Sequence, residues 1–161
     1  LIYIDVNKDY SKMKKINNIL VTGGAGYIGS HIVEKLVKTN VNVFILDNLV
    51  TGYKKLINKK AFFTKGSIKE SNKIRKIIIK KNIDTIIHLA AHLNVKEAEN
   101  NKKKYSANNI MGTHEVIKAC KNSKVRNIIF SSSCSVYGSV NGSVSEQKKP
   151  KPKGFYAYTK Y

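Results

Sequence analysis

The sequence predicts an α/β fold, a doubly wound parallel sheet with helices on both faces. Short β-branched runs alternate along the chain with longer segments whose apolar residues recur at helical spacing. A glycine-rich stretch, Thr-Gly-Gly-Ala-Gly-Tyr-Ile-Gly-Ser-His (Thr22–His31), falls where the first such run gives way to the first helical segment. Residues able to do chemistry gather after the ends of the strand-like runs, where open parallel sheets hold their ligands.

Taken in order, Leu1–Lys12 fits no part of this pattern and is expected to be a tail, with the domain spanning 13–161 from Met13 onward. The first strand is expected at Asn18–Val21, and Ile28, Ile32, Val33, Leu36 and Val37 give a helix over Tyr27–Lys38. A strand at Val41–Asp47, a loop at Asn48–Lys60 and a short strand at Ala61–Thr64 follow. A second helix, Lys69–Lys81, carries Ile74, Ile77 and Ile78 on one face, and Thr85–Leu89 is a short apolar strand. A long helix over Lys102–Asn122 aligns Ile110, Val116, Ile117 and Ala119. The fifth strand, Arg126–Ser131, runs into a serine cluster, and Tyr156 opens a last helix.

The glycines specify a ligand. At a strand-to-helix turn they let backbone amides approach a pyrophosphate, and the helix N-terminus adds a partial positive charge aimed at the same anion. Gly24, Gly26 and Gly29 match one form of the dinucleotide fingerprint, and Gly23, Gly26 and Gly29 match its variant. Asp47, closing the next strand, stands where a carboxylate takes the ribose hydroxyls. The expected cofactor is therefore a dinucleotide.

Length and charge limit the alternatives. At 161 residues the chain suits one domain. Its formal net charge is +20, yet of 30 basic residues only Arg75 and Arg126 are arginines. A reader of nucleic acid relies on bidentate arginines and interleaved aromatic residues, and the lysines here are scattered without them. No specific nucleic-acid partner is expected. Cys120 and Cys134 are far apart, and His31, His88, His92 and His114 form no ligand spacing, so no metal is expected. With no long apolar run and no signal-peptide layout, neither a membrane nor export is expected, and the chain reads as cytoplasmic.

Beyond the fifth strand comes Ser131-Ser132-Ser133-Cys134-Ser135, and after a polar loop Tyr156-Ala157-Tyr158-Thr159-Lys160. Tyr156 and Lys160 are one helical turn apart and share a face. A lysine ammonium beside a phenol lowers a pKa that starts at about 10, which makes Tyr156 a general acid/base near neutrality. A serine hydroxyl can hold the substrate oxygen between them.

These motifs resemble the extended short-chain dehydrogenase/reductase family, notably its branch that interconverts UDP-glucose and UDP-galactose. The resemblance covers Lys14–Tyr161. It rests on Thr22–His31, Leu46–Leu49 (Leu-Asp-Asn-Leu), His88–Ala91 (His-Leu-Ala-Ala), Asn108–Thr113 (Asn-Asn-Ile-Met-Gly-Thr), the serine cluster and Tyr156-x-x-x-Lys160. It implies a Rossmann-like fold and a bound, recycled NAD. Gly23, Gly26, Tyr27 and Ile28 would line its pyrophosphate, and Asp47 and Asn48 its adenosine ribose, with Asp47 repelling NADP. Ser67 and Ile68 would lie by the adenine, Leu89, Ala90 and Ala91 would border the cofactor, and Asn109 would lie by its nicotinamide half. Ser133, Tyr156 and Lys160 would form the catalytic set, acting on a UDP-sugar through a 4-keto intermediate. The resemblance also implies other nucleotide-sugar epimerases or decarboxylases as alternatives, and a homodimer for the longer enzyme.

The chain departs from the family's pattern at several points. Ser67 replaces the usual aspartate, Leu93 a cofactor-contacting lysine, Ala98 a common serine and Met111 a common asparagine. The serine cluster lacks the Asp-Glu pair of the sugar 4,6-dehydratases. Family members run to about twice this length, whereas this chain stops one residue after Lys160. The expectation is thus an N-terminal piece, with the sheet truncated after its fifth strand and no sugar-binding lobe. As such it would be inactive alone, or a non-catalytic nucleotide-binding remnant, and the outer edge of its fifth strand would lack a neighbour.

Overall fold

The structure, a computed structural model, describes residues 2–5 and 15–161. Leu1 and residues 6–14, with most of the expected tail and the start at Met13, lie outside the described residues. Five strands run parallel: β2 (Asn18–Thr22), β3 (Asn42–Asp47), β4 (Phe62–Lys65), β5 (Thr85–His88) and β6 (Asn127–Phe130). A sixth, β1 (Ile2–Asp5), joins them antiparallel, giving the order β1-β6-β5-β2-β3-β4. It lies within the stretch expected to be a tail, and its backbone pairs Ile2 with Phe130 through Asp5 with Asn127. The outer edge of β6, expected to be open, therefore has a neighbour.

Alternation along the central strands sorts the core into two layers. Leu20, Leu46 and Ile86 face one way and pack with Ile74 and Ile78 of α2 (Ser71–Lys80) and with Val116 and Ala119 of α5 (Met111–Cys120). Ile19, Val21, Val43 and Ile45 face the other way, onto Val33 of α1 (Tyr27–Leu36). Ile74 and Ile78 are four residues apart and both fully buried, each contributing about 1.5–3 kcal/mol by leaving water. Helices thus cover both faces, as the alternating pattern requires.

The expected helix over Lys102–Asn122 is not continuous. It comprises α4 (Lys102–Tyr105), one π-helical turn at Ser106–Ile110, and α5. The turn carries Asn108 and Asn109, both buried, and Asn109 takes its side-chain partners off the helix, at His92 and Thr159. Downstream of the extra residue the apolar face is displaced, so Ile117, expected inside, is 52 % exposed. A further helix, α3 (Val95–Asn100), is absent from the sequence reading because only Ala98 on it is buried. Asn94 caps it, accepting from Glu97 N at 2.9 Å. Finally α6 (Phe155–Lys160) carries the expected Tyr-Lys pair.

Candidate active site

The chain turns sharply after β2 at Gly23, whose φ of +74° suits glycine alone. A side chain there would also meet the Ala90 amide nitrogen at 2.7 Å. Gly29 is tighter, since a Cβ would lie 2.0 Å from Gly23 O, so α1 packs directly on the turn. Gly24 lies beneath Ile45, whereas Gly23, Gly26 and Gly29 line the cleft. The 23/26/29 spacing is therefore the one that faces the cleft. Gly26 caps α1 without any side-chain hydrogen bond, which leaves the first helical amides open to an anion.

Asp47 closes β3 and is nearly buried. Its Oδ2 accepts from Ala25 N at 3.0 Å and its Oδ1 from Leu49 N at 2.8 Å. The carboxylate braces the glycine turn, and it keeps acceptor capacity towards the cleft, which it lines beside Asn48. The cleft encloses about 460 Å³ and continues along Tyr27, Ile28, Ile68, Leu89, Ala90 and Ala91 to Ser133, Tyr156 and Lys160. A narrow turn that no Cβ could enter, open helical amides and a carboxylate in one groove fit a dinucleotide.

Two expected cofactor neighbours stand apart from the cleft wall. Ser67 is turned into its own bend, where its Oγ accepts from Lys69 N at 3.2 Å and its amide donates to Glu70 Oε2 at 2.6 Å. Asn109 is buried behind the wall and acts as a latch. Its Oδ1 accepts from His92 N at 2.8 Å, while its Nδ2 donates to His92 O at 3.0 Å and to Thr159 Oγ1 at 3.1 Å. It joins the loop after β5 to α6, and its neighbour Asn108 lines the cleft instead.

Beneath the cleft lies a buried chain of hydrogen bonds that sequence reasoning missed. Thr113 Oγ1 donates to Asn109 O at 2.6 Å, so it accepts from His88 Nε2 at 3.0 Å. His88 Nδ1 then accepts from Thr22 Oγ1 at 2.6 Å. Burial pushes the His88 pKa down to about 3, with the nearby Lys160 charge acting in the same direction. The imidazole is neutral and of fixed tautomer. Nothing local in the sequence joins them, since Thr22 closes one strand, His88 another, and Thr113 lies on a helix.

At the other end of the cleft, Ser135 Oγ donates to Ser133 Oγ at 2.8 Å, which leaves the Ser133 hydroxyl proton free to point elsewhere. Tyr156 is raised above the ordinary phenol value, first by burial; a hydrogen bond with Ser133 pulls it down, and Cys134 pushes it up. The sequence expectation was the reverse, a phenol lowered by Lys160. The reason is geometric: Lys160 Nζ lies over the Phe130 ring, 4.4 Å from its centroid. Burial lowers the Lys160 pKa to about 8. The Phe155 amide, at the start of α6, donates to the Glu99 carboxylate. Tyr158 points outward and is 58 % exposed, so Tyr156 is the phenol that the cleft presents.

Comparison with known proteins identifies the family. Residues 19–161 match the NAD dependent epimerase/dehydratase family. A UDP-glucose 4-epimerase from Lactobacillus helveticus is 41% identical over 120 residues, 74% of this chain and 36% of that protein. A putative UDP-glucose 4-epimerase from Methanocaldococcus jannaschii is 40% identical over 145 residues, 89% of this chain and 47% of that protein. A dTDP-D-glucose 4,6-dehydratase from Dictyostelium discoideum is 39% identical over 132 residues, 77% of this chain and 30% of that protein. Among solved structures, UDP-glucose 4-epimerase from Brucella ovis in complex with NAD superposes with a TM-score of 0.85 at 34% identity, covering 89% of this chain and 44% of that one. The chain thus spans less than half the length of these proteins. With a glycine turn shaped for a pyrophosphate at one end of its cleft and a serine-tyrosine-lysine set at the other, the chain belongs to the NAD dependent epimerase/dehydratase family.

Proposed function

We propose that this chain is the cofactor-binding part of a nucleotide-sugar 4-epimerase, the domain that holds NAD and carries the catalytic groups for interconverting UDP-glucose and UDP-galactose. The observation that carries this reading is the convergence of Ser133, Tyr156 and Lys160 on the cleft that the glycine turn begins. In this assignment the bound cofactor supplies a reversible hydride acceptor. Ser133 holds the sugar 4-oxygen, and Tyr156 takes and returns its proton. Lys160 favours the phenolate when its ammonium moves from the Phe130 ring towards the phenol. As built, Tyr156 carries its proton at neutral pH, the acid form needed when the keto oxygen is reduced. Asp47 would hold the ribose hydroxyls and disfavour NADP. The 4,6-dehydratase relative marks an alternative chemistry, but the serine cluster lacks the Asp-Glu pair of that branch.

The reading is tested in two parts. Calorimetry on the 161-residue chain should show NAD bound in preference to NADP. A chain extended by the C-terminal region of a family member should convert UDP-galactose to UDP-glucose, and Tyr156→Phe should reduce its turnover by about 10²–10⁴-fold. Near-normal turnover in that variant, or tighter NADP binding, would overturn the assignment.

A further inference from the structure

Resting on the assignment of Lys160 as a catalytic group, we propose that Phe130 is its positioning residue: the Phe130 ring, backed by His88, is the seat that holds the Lys160 ammonium in the cleft. Lys160 is 4% exposed, and among the described residues its Nζ forms neither an ion pair nor a hydrogen bond. The side chain lines the cleft, and an ammonium drawn largely out of water without a hydrogen-bond partner is costly. What the fold offers it is the negative face of an aromatic ring, 4.4 Å away and well within the roughly 6 Å reach of a cation–π contact. The backbone is held separately, since Ser132 Oγ donates to Lys160 O at 2.9 Å. Ring and ammonium are therefore placed from two sides of the same strand end.

The ring is itself fixed from behind. His88 stacks on Phe130 with ring centroids 5.8 Å apart and planes inclined by 29°. Both imidazole nitrogens are engaged by Thr22 and Thr113, so the ring of His88 cannot swing away. Its neutrality matters as much as its position, because an imidazolium here would repel the ammonium through the ring. The titratable groups around this arrangement are Tyr156 on the same helix as Lys160, His88 from β5, and Cys134 beyond β6. Tyr156, raised, and His88, lowered, are both uncharged at neutral pH. The seat also explains why the ammonium leaves the Tyr156 phenol unassisted in this arrangement: it is held on Phe130 and must be drawn off that ring to act.

An aromatic seat favours the charged form, so it opposes the downward push of burial on Lys160. Removing the face while keeping an apolar filling should lower the lysine further. The experiment is an NMR titration of the unmodified 161-residue chain labelled at lysine 13Cε and 15Nζ, with the Lys160 resonance identified by its disappearance in Lys160→Met. The parent chain should titrate near 8 at this site. Phe130→Leu should drop the value by about one unit, and Phe130→Met, an unbranched filling of similar volume, should do the same. Phe130→Tyr, which keeps the face, should stay within about 0.3 of the parent. An unchanged or higher value in the Leu and Met variants, or an equal drop in the Tyr variant, would overturn the proposal. Since the titration needs neither substrate nor turnover, its failure is distinct from failure of the epimerase reading, which the Tyr156→Phe assay decides separately.

Discussion

His88 should make the fold sensitive to mild acid. Its imidazole titrates at 6.5 in an ordinary setting and at about 3 when buried between Thr22 and Thr113. Between those values the unfolded chain binds the proton and the folded chain does not, so stability is complete above pH 6.5 and is lost as the pH falls towards 3. The loss from this one group amounts to about 2 kcal/mol at pH 5 and about 3 kcal/mol at pH 4. That is a large share of the roughly 5–15 kcal/mol that holds a typical domain together. The perturbation is His88→Gln, which removes the titration but keeps a polar side chain. At pH 7 it should cost about 1–3 kcal/mol, because a glutamine cannot serve both threonines with the same geometry. The assay is urea unfolding at half-unit steps from pH 7 to 4.5. The difference between the two chains should shrink steadily below pH 6.5 and approach zero near pH 5. Glu34, Glu70 and Glu97 are held below the ordinary carboxylate value by their lysine partners, and because both chains carry them their contribution cancels in the difference. Parallel stability curves for the two chains would refute the reasoning.

Other substitutions probe other parts of the site. Gly29→Ala drives a methyl group into a backbone carbonyl, so it should destabilise by about 3 kcal/mol and abolish NAD binding; urea unfolding and calorimetry report both, and an intact binding isotherm would contradict the packing. Asp47→Ala strands the Ala25 and Leu49 amides and removes the proposed ribose acceptor, so NAD affinity and the preference over NADP should fall together in competition binding. Lys160 has a folded pKa below its unfolded one, so stability should climb between pH 8 and 10.5 as the unfolded chain keeps the extra proton. Lys160→Met should remove that climb and gain up to about 3 kcal/mol at pH 7, measured by the same unfolding assay.

The features legible in the sequence were those written in a local period. The glycine turn, Asp47 after its strand, and the Tyr156–Lys160 spacing each depend on neighbours within a few residues or one βα unit, and the structure brings them to one cleft. What stayed hidden depends on residues far apart in sequence. Phe130 reads as an ordinary apolar strand residue until α6 folds Lys160 over it. Asn109 reads as a contact for the cofactor until His92 and Thr159 arrive at its amide. The direction of the Tyr156 shift was missed for the same reason, since spacing on one helix cannot say that the ammonium will choose a ring on another element. The pairing of β1 with β6 also lies beyond a periodicity argument, because four residues near a chain terminus carry too little pattern to name a partner.

The single π-helical turn at Ser106–Ile110 sets a phase relationship between two halves of one long helical segment. Upstream of it Tyr105 is buried, and downstream Val116 and Ala119 enter the core while Gly112 lies against Ile68, where a methyl group would sit 2.6 Å from Ile68 Cδ1. Each residue of an α-helix advances the face by about 100°. Deleting one residue between positions 106 and 110 would therefore turn α5 by roughly that angle relative to the latch at Asn109. Either Val116 and Ala119 would leave the core, or the latch would release α6. A side chain would also replace Gly112 against Ile68 and push it into the cleft. Substitutions along this segment change single contacts, whereas a change in its residue count dismantles the core and the site in one step.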